Sequence, residues 1–220
     1  MKLVLASGSQ RRRELLTMCG YDYEIIVSNA DETIDENDPE SFVRALSFRK
    51  AKDVFDRLFA AGRRDFAVIG SDTVVAFQKD GETKPVIIGK PKDAEDAVRI
   101  LSMLSGKTHR VFTGVSVIAD IPDENADAQC SIREKAEIQT ECSITEVTFE
   151  TLSPGEITDY VNSGDPLDKA GSYGIQGPFG MFVREIRGNY FTVIGMPIPV
   201  LYKMLKKIGI LPHGFYERIE

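Results

Sequence analysis

The chain has 220 residues, a hydrophobic content of 42% and a formal net charge of −7 at pH 7. This length suits one large α/β domain or two small lobes, and the apolar content is enough to build a core. The acidic balance argues against stable nucleic-acid binding, and no apolar run is long enough to span a membrane. Three widely spaced cysteines without a C-x-x-C pair predict reduced thiols in a cytoplasmic protein, and two histidines argue against a His/Cys metal site.

The first residues predict a strand, a tight loop and a helix. Residues 3–6 are apolar, Ser7-Gly8-Ser9 is a small polar break, and residues 11–19 have helical spacing. Free N–H groups and the positive end of the helix dipole at such a corner bind anions, so Ser7 and Ser9 are candidate substrate ligands. Arg11, Arg12 and Arg13 add planar donors suited to phosphate. The alternative is a solvated basic helix start, and the absence of a Walker A motif argues against an ordinary P-loop ATPase.

A short strand at 23–27 and an acidic loop containing Glu32 precede a long helix, predicted from Pro39 or Glu40 to about Ala61. The acidic loop is typical of a solvated face, although one or two of its carboxylates can still reach a metal. Lys50 falls within the apolar stripe of the helix. Either its stem is buried while its ammonium stays in water, or its head enters a polar cleft.

Residues 66–77 predict a central strand that is covered on both faces. Asp72 lies in the middle of this apolar run, where an unpaired carboxylate is costly. It is either a structural aspartate that caps a turn or, as we predict, a metal ligand or general base. A hairpin turn at 79–83 leads to a return strand at 86–88. Lys90 follows that strand and is a candidate phosphate ligand because Asp72 lies on the neighbouring strand, although alone it would be an ordinary loop lysine.

The rest of the chain predicts helices at 94–104, 154–161 and 197–208 and strands at 110–119, 136–148, 181–186 and 190–194. The two long strands predict an antiparallel ribbon, joined by an exposed polar segment at 120–135. The glycine-rich loop 164–177 allows close approach of the backbone to a ligand, although its composition equally fits a plain surface loop.

The charged candidates form a set with a common chemistry. The cations suit the oxygens of a polyphosphate, with Lys169 as a substrate ligand, and the carboxylates suit a divalent metal or an attacking water. No Ser-His-Asp arrangement is visible, so the sequence predicts attack by water rather than by a side chain. The cations are Arg11, Arg12, Lys50, Lys90 and Lys169, and the predicted metal ligands are Glu32, Asp72 and Asp168.

Five motifs occur in order along the chain: Leu5-Ala-Ser-Gly-Ser-Gln-Arg-Arg12, Gly70-Ser-Asp-Thr-Val-Val75, Gly89-Lys-Pro91, Ser105-Gly-Lys-Thr-His109 and Gly164-Asp-Pro-Leu-Asp-Lys-Ala-Gly-Ser-Tyr-Gly-Ile-Gln-Gly177. With these motifs the chain resembles the Maf family of nucleoside triphosphate pyrophosphatases from about Leu3 to Ile208. The resemblance implies an α/β fold with an elongated mixed β-sheet flanked by helices, like that of inosine triphosphate pyrophosphatases. It also implies a single domain, 1–220, of two lobes with a central cleft.

The resemblance further implies hydrolysis of a nucleoside triphosphate to the monophosphate and pyrophosphate with a divalent metal, Mg²⁺ or Mn²⁺. Asp72 falls at the position of the proton acceptor, and Glu32 at that of an acidic residue near the metal. The phosphate-binding and catalytic positions correspond to Ser7, Arg12, Lys50 and Lys90. The base-specificity positions correspond to Arg11, Thr73 and Gln176, a combination similar to the branch that acts on dTTP and UTP.

Two features depart from the family pattern: Gln10 stands where the first motif usually has proline, and the segment 120–135 is longer than expected. Two other functions stay open. One is a nucleotide-binding regulator of cell division without relevant turnover, and the other is the same chemistry on another base. A homodimer also stays open, because no motif shows one.

Overall fold

The computed structural model describes residues 1–78, 81–82, 84–121 and 136–214. Most of the predicted connection 120–135 and part of the predicted turn 79–83 therefore lie outside the described residues. The strands are β1 (Lys2–Leu5), β2 (Glu24–Ile25), β3 (Phe66–Phe77), β4 (Val86–Ile88), β5 (Thr108–Asp120), β6 (Ala136–Phe149) and β7 (Val183–Arg187). The helices are α1 (Gln10–Met18), α2 (Pro39–Ala60), α3 (Ala94–Leu104), α4 (Pro154–Asn162), α5 (Tyr190–Ile194) and α6 (Ile198–Lys207).

The strands form one mixed sheet in the order β2-β1-β3-β5-β6-β7, with β4 also paired to β3. β1 runs parallel to β2 and β3, whereas the other pairs are antiparallel. β3 lies in the middle and is buried along nearly all its length, as predicted. β5 and β6 form the predicted ribbon. The fold is therefore the predicted α/β class, with a mixed sheet flanked by helices.

One edge of β3 is interrupted. β1 pairs with residues 66–69 and β4 with residues 75–77, while β5 pairs along the opposite edge. Within the described part of the chain, residues 70–74 therefore have no strand partner on the first edge. The loop after β1 begins at this opening, where the Ala6 N–H donates to the Ile69 carbonyl at 2.8 Å. Two distant parts of the chain, the loop after β1 and the middle of β3, meet there.

Helix α2 packs against β3 and β5 at two glycines. A Cβ added at Gly70 would lie 2.2 Å from the Ser47 carbonyl oxygen, and one at Gly114 would lie 2.2 Å from the Val43 carbonyl oxygen. The Ser47 and Ser116 hydroxyls also form a buried hydrogen bond of 2.9 Å across this contact. Only glycine permits such a close approach, so these positions determine how deeply α2 lies against the sheet.

We expect Gly70→Ala to lower the free energy of unfolding by about 2–3 kcal/mol, because the new methyl overlaps backbone that cannot easily move. Denaturant unfolding measures the change. Gly155→Ala is the matched control, since a Cβ there meets nothing within 4 Å. Equal unfolding free energies for the two variants would contradict the close approach of α2.

Hydrophobic clusters lie on either side of the opening in β3. Ala67 and Ile69 belong to a cluster with α1 and α6, whereas Val75 and Phe77 belong to a cluster with α3 and α4. Between these two pairs of residues lies the stretch 70–74, which pairs with β5 but has no strand partner on the other edge among the described residues. The division of residues 1–220 into two lobes of a single domain stays a prediction. No helix among the described residues combines the length and apolarity needed to cross a bilayer.

His109 is buried in an aromatic cluster rather than in a polar site. Its Nε2 lies 3.0 Å from the Tyr173 hydroxyl oxygen, and its ring packs edge-on against Phe149. Burial lowers the pKa of His109 from 6.5 to about 3, so the imidazole is neutral at pH 7. The contact ties the glycine-rich loop to β5.

We expect the stabilising contribution of the neutral His109 to be lost as the pH drops from about 6.5 to about 3. Because the folded state disfavours the imidazolium, the unfolded chain binds more protons in this window, which lowers the unfolding free energy by at most about 5 kcal/mol. In His109→Gln this dependence should be weaker, as measured by denaturant unfolding at several pH values. His213→Gln replaces the exposed histidine and is the control. A pH profile of His109→Gln that matches the wild type would contradict the neutral, buried state.

The prediction of a strand at 190–194 is wrong, because these residues form the short helix α5. The Asn189 side chain accepts a hydrogen bond from the Thr192 N–H, and Gly195 ends the helix at φ 108°. Aromatic and β-branched residues favour strands, but the two caps satisfy the helix ends and outweigh that preference. The strand predicted at 181–186 is shorter than expected, because a 3₁₀ helix occupies Pro178–Phe182 before β7 begins.

Candidate active site

A cleft of about 530 Å³ opens where residues 70–74 of β3 leave one edge without a strand partner among the described residues. Its lining comes from the loop after β1 with the start of α1, the middle of β3 and the glycine-rich loop after α4, together with residues of α2, β5, α5 and the segments that follow β2 and β4. Most of the predicted site residues meet there, although they come from positions far apart in the sequence. They are Ser7, Ser9, Arg11, Arg12, Glu32, Lys50, Asp72, Thr73, Lys90, Asp168 and Lys169.

Lys50 connects the two carboxylates on one side of the cleft. Its ammonium donates to Asp72 Oδ1 at 2.8 Å and lies 3.0 Å from Glu32 Oε1. The side chains of Lys50 and Asp72 are each 12% exposed, so this pair is shielded from solvent but open to the cleft. Of the two predictions for Lys50, the one that placed its head in a polar cleft is therefore confirmed.

Arg12 lines the same cleft and is held by neutral oxygens. Its Nε donates to the Gly195 carbonyl at 2.9 Å, its Nη1 to Ser7 Oγ at 3.2 Å and its Nη2 to Thr73 Oγ1 at 3.3 Å. No carboxylate of the described residues forms an ion pair with Arg12, and burial lowers its pKa. A guanidinium that is oriented but not neutralised is well suited to bind an anion.

The loop after β1 supports Arg12. Ser7 is 7% exposed, and its hydroxyl also accepts a hydrogen bond from the Ser9 N–H at 3.2 Å. Ser9 precedes α1 at the N-cap position, and its side chain does not cap the helix. The first N–H groups of α1 are thus not satisfied by a serine cap at the point where the cleft begins.

The glycine-rich loop holds Lys169 and Asp168 in ion pairs. The Lys169 ammonium lies 3.0 Å from Asp165 Oδ1 and 2.7 Å from Asp168 Oδ1. Arg11 Nη2 lies 3.9 Å from Asp168 Oδ2, so the contact joins this loop to the start of α1. The sequence did not single out Asp165, which also accepts a hydrogen bond from the Tyr160 hydroxyl at 2.6 Å. A Tyr and an Asp five residues apart carry no recognisable signal of this contact.

Of two further predicted ligands, Lys90 and Gln176, one lines the cleft and the other does not. Lys90 lines the cleft, and within the described ranges its ammonium has no partner. Gln176, predicted to contact the base, is exposed and does not line the cleft. A role for Gln176 therefore requires that a ligand extends beyond the cleft or that the loop moves.

The carboxylates of the cleft have the chemistry expected of ligands for a divalent metal that also binds the phosphate oxygens of a substrate. Across the described ranges, no three His, Cys, Asp or Glu side chains are grouped to hold a metal. Glu32 and Asp72 nevertheless both line the cleft and share the Lys50 ammonium, whereas Asp168 is paired to Lys169. Mg²⁺ is commonly held by one or two carboxylates together with phosphate oxygens and water, so Glu32 and Asp72 are a sufficient protein donor set.

Comparison with known proteins identifies the family. A family model described as Maf-like protein matches residues 2–208. The chain belongs to the Maf family. Its similarity to the dTTP/UTP pyrophosphatase of Agathobacter rectalis is 40% identity over 217 residues, which cover 95% of this chain and 98% of the relative. The dTTP/UTP pyrophosphatase of Bacillus thuringiensis subsp. konkukian is 42% identical over 210 residues, covering 95% and 96%.

A structural likeness extends the comparison beyond close relatives. The Staphylococcus aureus Ham1 protein superposes with a TM-score of 0.51 at 14% identity, covering 94% of this Maf-like chain and all of the other. At such low identity the likeness concerns the fold alone. It agrees with the α/β fold expected of inosine triphosphate pyrophosphatase-like proteins, and the Maf resemblance read from the five motifs is confirmed.

Proposed function

We propose that this Maf-like chain hydrolyses dTTP and UTP to the nucleoside monophosphate and pyrophosphate. The reaction is that of a nucleoside triphosphate diphosphatase, a hydrolase acting on acid anhydrides. The observation that carries the proposal is the convergence of Arg12, Lys50 and Lys90 around Asp72 in one cleft. The names of relatives that are 40% and 42% identical support the same activity.

In this proposal Asp72 accepts the proton of a water that attacks the α-phosphorus. The bond from the α-phosphorus to the bridging oxygen breaks, and pyrophosphate leaves with that oxygen. Arg12, Lys50 and Lys90 offset the charge that develops on the phosphate oxygens. A divalent cation, Mg²⁺ or Mn²⁺, held by Glu32 and Asp72, would supply further charge neutralisation at these oxygens. Asp168 stays a proposed metal ligand that must first leave its ion pairs.

We also propose that Arg11 and Thr73 contact the base, and that Gln176 joins them when substrate is bound. Gln176→Glu tests this last residue, because the substitution removes two amide donors and adds a negative charge. We expect its preference among nucleotides to change. An unchanged preference would exclude Gln176 from base recognition. A cytoplasmic location and a homodimer are further expectations that this activity does not require.

The experiment that tests the proposed function is pyrophosphate release from dTTP, UTP, CTP, GTP, ITP and 7-methyl-GTP, with Mg²⁺ or Mn²⁺ and with chelator. We expect metal-dependent release that is fastest for dTTP and UTP. Fast release from another nucleotide instead would preserve the chemistry and contradict the assigned base. No release from any nucleotide would contradict the proposal and favour a nucleotide-binding regulator.

A further inference from the structure

We propose that Thr113, a residue outside the cleft lining, determines which bases the cleft accepts. It does so by orienting the hydroxyl proton of Thr73, so that Thr73 offers only a lone pair to the substrate. This inference rests on the proposed function and extends it to a second residue behind the site. It predicts selection for a base that carries a proton on N3, as thymine and uracil do.

The direction of the first hydrogen bond follows from the atoms involved. Thr113 is fully buried, and its Oγ1 lies 2.8 Å from the Thr192 carbonyl oxygen. A carbonyl can only accept, so the Thr113 hydroxyl must be the donor. A hydroxyl has one proton, so Thr113 has only lone pairs left for other neighbours.

The second hydrogen bond is thereby oriented as well. Thr73 Oγ1 lies 3.0 Å from Thr113 Oγ1, and Thr73 must donate its proton to this contact. The reverse arrangement would bring the Thr113 and Thr192 oxygens together at 2.8 Å without a proton between them, so that their lone pairs would repel each other in a buried site. Thr73 also accepts from Arg12 Nη2 at 3.3 Å, which is consistent with this direction.

Thr73 consequently has no proton to offer in the cleft that it lines. An acceptor there matches the N3–H group of uracil or thymine. It opposes the unprotonated N3 of cytosine, because two lone pairs would face each other. Helix α5 fixes the direction of both hydrogen bonds, because it contains Thr192, whose backbone carbonyl accepts from the Thr113 hydroxyl.

The test compares UTP with the triphosphate of pyrimidin-2-one riboside. That base has an unprotonated N3 and lacks both the 4-amino group of cytosine and the 4-oxo group of uracil. The loss of the 4-oxo group is common to wild type and variant, so the change in the ratio between them reports on the N3 contact. Wild-type protein should strongly prefer UTP. In Thr113→Val, the Thr73 side chain stays in position but its hydroxyl proton can turn into the cleft. The ratio of kcat/KM for the pyrimidin-2-one nucleotide to kcat/KM for UTP should then rise about tenfold or more.

Two controls separate this effect from loosening of the fold. Thr113→Ser keeps the hydroxyl and should keep the wild-type ratio. Thr145→Val removes another buried hydroxyl that bonds the Asn189 carbonyl beside α5 without touching Thr73, and it should also keep the ratio. If Thr113→Val does not fold, Thr73→Val tests separately whether Thr73 acts as an acceptor. It removes the acceptor oxygen and should lower kcat/KM for UTP more than for the pyrimidin-2-one nucleotide.

The outcomes distinguish this inference from the proposed function. A wild-type protein that releases no pyrophosphate from UTP would overturn both. An active wild type, with the same base ratio in folded Thr113→Val as in the wild type, would overturn only the role of Thr113. The same base ratio in Thr73→Val would overturn the role of Thr113 and also remove Thr73 from base recognition, while leaving the hydrolysis itself in place. A ratio that changes equally in Thr113→Val and Thr113→Ser would overturn the role of Thr113 too, because the hydroxyl would not be the cause.

Discussion

Asp72→Asn is expected to bind UTP and to lose on the order of 10²-fold or more in kcat, the effect typical of removing a general base. The amide keeps the size of the side chain and can still accept a hydrogen bond from Lys50, which lies 2.8 Å from Asp72 Oδ1. It cannot take a proton from water. The loss should therefore appear in kcat, while the affinity for a non-hydrolysable UTP analogue in the presence of Mg²⁺ changes far less.

The chain offers a matched control for this variant. Asp56 pairs with Lys52 on the exposed side of α2, and neither residue lines the cleft. Asp56→Asn should leave kcat unchanged. Turnover of UTP by Asp72→Asn at the wild-type rate would remove Asp72 from the proposed role of proton acceptor.

Lys50→Met is the second variant with a large expected effect, a fall in kcat/KM of roughly 10²–10³-fold. The methionine retains most of the apolar stem, so packing of α2 is little disturbed. It removes the ammonium that lies between Asp72 and Glu32. The two carboxylates then face an incoming polyphosphate without that compensating charge, so both substrate binding and the transition state are weakened.

Lys52→Met provides the corresponding control, because the same change two residues along α2 removes a cation that is 52% exposed and is paired to Asp56. It should leave kcat/KM within about twofold of the wild type, as expected for an exposed ion pair. If Lys50→Met and Lys52→Met had equal kcat/KM, the Lys50 charge would have no part in the reaction. Thermal unfolding of both variants establishes that they are folded.

Elements with local signals were predictable from the sequence. α2 begins at Pro39 because Asp38 accepts from the Ser41 N–H, and α3 follows Asp93, which accepts from the Asp96 N–H. These contacts span three residues, so the sequence shows them directly. The prediction for α5 was wrong because its β-branched and aromatic side chains favoured a strand. The caps at Asn189 and Gly195 determine a helix instead.

The site was predictable in its chemistry but not in its arrangement. The sequence by itself determined that Asp72 interrupts an apolar strand and that Lys50 interrupts an apolar helix face, because burying either charge alone is costly. It did not determine that the two charges meet. That depends on the depth of α2, which Gly70 and Gly114 permit by their lack of a side chain.

Only the tertiary structure decided where the cleft opens and what lies behind it. The opening exists because β1 and β4 pair with different parts of the same edge of β3. The direction of the Thr73 hydroxyl depends on Thr113 and Thr192, which are 40 and 119 residues away along the chain. Sequence patterns report the burial and charge of single residues, whereas pairing and hydrogen-bond direction arise from contacts between segments that only folding brings together.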